Sequence, residues 1–108
     1  MTLTNGLTLV NGSILDMELS ATSDCVRVTG GTFTGADAGG VTVKITDAGG
    51  LHDGRYVLGD WTGAAAVGVE KNDFVLLLPP AYSGAAWLAI RNSTLVFESY
   101  RGGILMIR

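Results

Sequence analysis

His52, the only histidine in this 108-residue chain, stands beside Asp53 in a short turn, Leu-His-Asp-Gly. An imidazole next to a carboxylate is the start of a hydrolytic triad. The third member would be a nucleophile on a strained elbow such as G-x-S-x-G, and the sequence has none. Residues adjacent in sequence also rarely reach the geometry in which a carboxylate orients an imidazole. His52 and Asp53 therefore read as turn residues.

Three further carboxylates, Asp16, Glu18 and Asp24, invite an acid/base reading. Asp16 and Glu18 alternate with Leu15, Met17 and Leu19, which is the pattern of a solvated strand face. Asp37, Asp47, Asp53 and Asp60 lie in glycine-rich turns, where calcium can bind in repetitive β proteins. Neither the nonapeptide glycine–aspartate repeat nor an EF-hand loop is present, and turn aspartates explain them more simply. Gly30-Gly31 and Gly39-Gly40 do not form a phosphate loop, since no Lys-Ser/Thr follows them and no helix pattern begins there. Cys25 is the sole cysteine, so an internal disulfide and a cysteine zinc site are excluded, and it reads as a small half-buried hydrophobe. The expectation is a chain that is not an enzyme, with no catalytic, cofactor-binding or metal-binding residue.

Trp61, Tyr82, Trp87 and Tyr100 carry the remaining binding chemistry. Aromatics beside polar turns can stack on sugars or anchor a partner. They are also what a small β core needs, and core is the preferred reading because aromatic side chains are usually largely buried.

The elements that position these residues read as strands. Glycine fills 16 of 108 positions, about twice its usual share, while there are only two prolines. Apolar and polar residues alternate at Leu7–Leu9, at Leu15–Leu19, at Val26–Val28, at Val41–Ile45 and at Leu95–Phe97. Turn signals separate them: Asn5-Gly6, Asn11-Gly12, Gly30-Gly31, Gly39-Gly40, Gly49-Gly50, Asp53-Gly54, Ser83-Gly84 and Gly102-Gly103. No window shows the helical spacing. TLTNG at residues 2–6 is followed by TLVNG at residues 8–12, a weak six-residue repeat of the kind a solenoid rung uses.

The second half reads differently. GRYVLGDWTG, residues 54–63, is expected to be one strand with aromatics at both ends, and the apolar run at residues 74–78 to be buried on both faces until Pro79-Pro80 ends it. Residues 85–91 and 93–99 flank Asn92 as a hairpin, and residues 103–108 form a last apolar strand. The expected organisation is one domain over residues 1–108, with solenoid-like strands over 1–46, a soft boundary near 47–50 and a C-terminal β cap over 47–108.

Hydrophobic residues make up 47% and charged residues 16%, which excludes a disordered composition. The net charge is −3, and the basic residues Arg27, Lys44, Arg55, Lys71, Arg91, Arg101 and Arg108 are scattered, which disfavours nucleic acid. No segment approaches a membrane helix. The N-terminal residues lack a leader pattern, which leaves an intracellular protein or a piece or mature form of something longer, and the strand-like start favours the second.

SDCVRVTG (23–30), VTVKITDAGG (41–50), GRYVLGDWTG (54–63) and LPPAYSG (78–84), in that order, resemble the end of autotransporter-type passenger β-helices, and the autotransporter-associated β-strand repeat proteins. The resemblance covers about nine-tenths of the chain, through motifs that are each short and degenerate. It implies right-handed parallel β-helix rungs closed by a small antiparallel C-terminal β cap, display at a bacterial surface or secretion, and a region that nucleates folding of the stalk without doing chemistry. Arg55 and Asp60-Trp61 depart from the family's usual Thr and small or aromatic residues, and the 108 residues contain no membrane-barrel or sorting-signal pattern. Three functions are therefore expected in turn: a structural cap of a β-helix; a subunit that self-associates, or meets adjoining rungs, through open strand edges; and a small module binding a surface glycan through its aromatics.

Overall fold

The computed structural model describes residues 2–20, 24–49, 54–80, 82 and 85–100. Among these the chain is all-β, with a single 3₁₀ turn at Lys71–Asp73 and no α-helix. The first nine strands visit three sheets in rotation. The first sheet receives β1 (Thr2–Leu3), β4 (Val26–Val28) and β7 (Gly54–Asp60); the second receives β2 (Leu7–Thr8), β5 (Thr32–Thr34) and β8 (Ala65–Val67); the third receives β3 (Ser13–Leu19), β6 (Val41–Asp47) and β9 (Phe74–Leu77). Every pairing within these triplets is parallel.

In the third sheet, Ser13, Val41 and Phe74 stand in one row, and Leu15, Val43 and Leu76 in the next. Val41, Val43 and Ile45 are fully buried because they alternate onto the inner face of β6, against the core. Each such aliphatic side chain contributes about 1.5–3 kcal/mol on burial. One core cluster draws on all three sheets, from Met17 and Ile45 through Phe33 to Val28, Leu58 and Trp61.

Glycine in the connections allows neighbouring backbones to lie this close. A Cβ on Gly30 would meet the Thr4 carbonyl at 2.5 Å, and one on Gly63 the Thr29 carbonyl at 3.0 Å, so the connection from the first sheet to the second repeats. A Cβ on Gly35 would collide with the carbonyl of Gly68 and with Asp73 Oδ2. Asp73 is itself buried, accepting from the Glu70 N–H at 2.9 Å within a capping box. In these same connections, between the second and third sheets, Asn11 and Asp37 are joined by two hydrogen bonds. The open side of β3 is partly occupied by its own chain: the Glu18 N–H donates to Asp24 Oδ2 at 2.9 Å, and the Asp24 N–H donates to the Glu18 carbonyl at 3.3 Å.

The parallel rule ends at β11 (Thr94–Tyr100), which pairs antiparallel with β7 on one side and with β10 (Ala85–Arg91) on the other. The hairpin expected around Asn92 is present, with Asn92 and Ser93 at φ 51° and 63°, the left-handed pair that a two-residue loop requires. A register shift between Leu95 and Val96 leaves Leu58 as an extra residue on β7. This bulge resets the alternation: Tyr56 and Leu58 are buried inside, while Asp60 meets Arg27 outside at 3.6 Å.

Several expectations need correction. The 74–78 run is not buried on both faces. Val75 and Leu77 are 48% and 50% exposed, because in register with Thr42 and Lys44 they fall on the outer side of the third sheet. The six-residue repeat is not the structural one, since β1 and β2 join different sheets; the residues that lie side by side are Thr2 with Arg27, Leu7 with Phe33 and Ser13 with Val41. Parallel pairing runs on past residues 47–50 through β7, β8 and β9, and changes only after β9. The 54–63 strand ends at Asp60, and Trp61 turns into the core at the corner that follows. His52, Asp53 and residues 103–108 lie outside the described residues.

Candidate interaction surface

The strongest concentration of polar chemistry lies on the outer face of β7, β11 and β10. β11 lies between β7 and β10, its residues Leu95–Ser99 are all buried, and Glu98 on the outer face is 3% exposed. The pairing sets Arg55 of β7 opposite Glu98 on one side and Trp87 of β10 on the other. Trp87 Nε1 donates to Glu98 Oε1 at 3.0 Å, and Arg91 Nε donates to Oε2 at 3.0 Å. Arg91 Nη2 lies 3.0 Å and Arg55 Nε 3.4 Å from the same oxygen. A buried carboxylate needs this many donors, because an unpaired one would carry its full desolvation cost.

Beside this cluster Trp87 and Tyr100 stack, with centroids 5.3 Å apart and planes at 29°, and each is about two-fifths exposed. The four aromatics singled out in the sequence thus divide. Trp61 is in the core against Phe33, at 4.7 Å. Tyr82 is half-buried, its hydroxyl 2.8 Å from Ser99 Oγ. Trp87 and Tyr100 form the exposed pair.

Asp16 and Glu18 are exposed as expected, with the Thr46 hydroxyl donating to Asp16 at 3.2 Å. Asp37 and Asp60 serve corners, joined to Asn11 and to Thr62. The Asp60 carboxyl is held below its usual range chiefly by the Thr62 backbone N–H, then by the Thr62 hydroxyl, with Arg27 assisting against partial burial. Cys25 is half-buried, and burial pushes its thiol up. Among the described residues no three His, Cys, Asp or Glu side chains gather as a metal site would need. The core holds a void of about 20 Å³ lined by residues such as Leu9, Phe33 and Trp61, far below the roughly 300 Å³ of a ligand pocket.

Glu98, Arg55 and Arg91 were not singled out by residue type. Glu98 sits in an alternating strand, where a solvated position is the default. The available signal was the hairpin itself: a two-residue loop at Asn92-Ser93 places Trp87 opposite Glu98.

Family models, curated proteins and solved structures were compared with the chain, and none matches.

Proposed function

We propose that this chain is a non-catalytic structural module: three circuits of a right-handed parallel β-helix, closed by an antiparallel hairpin that caps the stack and nucleates its folding. The observation that carries the reading is the pairing of β11 with β7, where the parallel rule of the first sheet gives way to an antiparallel strand. An open solenoid end leaves backbone groups and core uncovered, so a terminal element that occupies the edge is what such a stack requires. Right-handedness is the hand that parallel crossovers take. The hairpin's local contacts close early, whereas each parallel pairing closes a long loop. Location at a bacterial surface or outside the cell belongs to the same proposal and rests on the sequence resemblance.

The test is a set of folding and unfolding rates across substitutions. Substitutions in the hairpin and β7, such as Leu88→Ala and Tyr56→Phe, are expected to slow folding, and Val28→Ala in β4 to act mainly on unfolding. Early formation of β4 with a late hairpin would remove the nucleating role.

Self-association is a second reading, favoured by the outer strands β1, β2 and β3, which end their sheets on the side away from the hairpin. Light scattering over a concentration series tests it, and a strict monomer at high concentration rejects it.

A further inference from the structure

The outer face of β7, β11 and β10 has properties that capping does not use. Glu98 is buried between two guanidiniums that are not, with side-chain exposures of 61% for Arg55 and 49% for Arg91. Around Glu98, one carboxylate against two guanidiniums leaves the cluster one net positive charge, on a chain whose net charge is −3. Arg55 meets Glu98 through Nε, and Arg91 through Nε and Nη2, so each exposed fork keeps further N–H groups on its solvent side. The indole of Trp87 is fixed twice, by its Nε1 bond to Glu98 and by its stack on Tyr100. Side chains ordered in advance lose little entropy when a ligand arrives.

We infer that this face binds an acidic polysaccharide of the uronic-acid type. The sugar ring lies on the exposed Trp87–Tyr100 pair, and its carboxylate meets both Arg55 and Arg91. The net positive charge and the guanidinium fork select a carboxylate. The aromatic pair selects a ring with an apolar C–H face. A nucleic acid is disfavoured because, among the described residues, Arg27 is committed to Asp60 and Lys44 stands on another sheet. The inference stands apart from the capping role, which folding rates test separately.

The experiment titrates the full chain with oligogalacturonate, with its methyl ester, which keeps the sugar and removes the charge, and with polyglutamate, which keeps the charge and removes the sugar. Binding is read by calorimetry and by the fluorescence of the exposed indole. Oligogalacturonate is expected to bind, at least about tenfold more tightly than either control, and more weakly as salt is added. Trp87→Ala and Arg55→Gln should each weaken it about tenfold. Arg55 is exposed and touches Glu98 at a single 3.4 Å contact, so Arg55→Gln is the variant expected to keep its melting temperature. Absence of oligogalacturonate binding, equal binding of either control, or unchanged binding in folded Arg55→Gln would each overturn the inference.

Discussion

Asn11 and Asp37, 26 residues apart, bind each other twice: Asn11 Nδ2 donates to Asp37 Oδ2 at 2.8 Å, and the Asp37 N–H donates to Asn11 Oδ1 at 3.0 Å. The contact joins the corner before β3 to the corner before β6. The backbone follows, with the Gly12 N–H donating to the Gly40 carbonyl at 2.7 Å. Asn11→Ala removes both side-chain bonds and should cost about 1–2 kcal/mol, read from chemical denaturation. Asp37→Ala should cost less, since the Asp37 N–H keeps its partner.

The corner glycines are not equivalent. Gly35→Ala drives a methyl group into the Gly68 carbonyl and Asp73 Oδ2, and should cost about 3 kcal/mol or more. Gly12 has φ +91° but nothing within 4 Å of a built Cβ, so Gly12→Ala carries only backbone strain, about 1 kcal/mol. Equal melting temperatures for the two variants would contradict this corner geometry.

Neighbouring leucines on β9 should behave in opposite ways. Leu76 stands in the inner row with Leu15 and Val43, whereas Leu77 is half exposed. Leu76→Asp places a carboxylate against the core and should cost about 3 kcal/mol. Leu77→Asp should change stability by about 0.5 kcal/mol or less. Circular dichroism melts of the two variants decide it.

Glu98 ties three side chains on two flanking strands. Glu98→Gln keeps the shape and weakens the pairs with Arg55 and Arg91; because both guanidiniums are half exposed or more, the expected cost is about 1–2 kcal/mol. A double-mutant cycle with Arg91→Gln measures the coupling, and a coupling near zero would mean the cluster adds nothing to the hairpin's hold on β7.

Acid sensitivity has one identified contributor at the Asp60 corner. Its carboxyl is lowered in the folded chain, first by the Thr62 N–H and then by the Thr62 hydroxyl. A depressed folded value means that the stabilisation is complete above the unfolded value of about 3.9 and is lost as pH falls through the lower folded one. Stability measured between about pH 5 and pH 2 should fall less steeply in Asp60→Asn than in the parent. Thr62→Val should move the Asp60 titration, followed by NMR, back toward the usual value.

The all-β class and the hairpin around Asn92 were legible because both are local: alternation at Leu15–Leu19 and Val41–Ile45 marks β3 and β6, and a short polar loop between apolar runs fixes β10 against β11. The parallel pairing was expected through the family resemblance and not from the strand pattern. β1, β2, β4, β5 and β8 are two or three residues long, too short for a period-two pattern to declare itself, and each pairs with a strand three strands away in the chain. The glycines announced turns without saying which carbonyl they approach. The exposure of Val75 and Leu77 follows only from register with Thr42 and Lys44. The Trp87–Tyr100 pair was visible as residue types, but the carboxylate that orients Trp87 became evident only once the strands were set side by side.

The hold of Asp24 on Glu18 sets a limit on what another molecule could do at that strand. With the N–H and carbonyl of Glu18 already taken by the same chain, the landing strip left along β3 runs over its first half, from Ser13 to Asp16. A visiting strand could add only a few hydrogen bonds there. The same aspartate thus limits strand addition along β3, and a visitor that used the whole strand would first have to displace it.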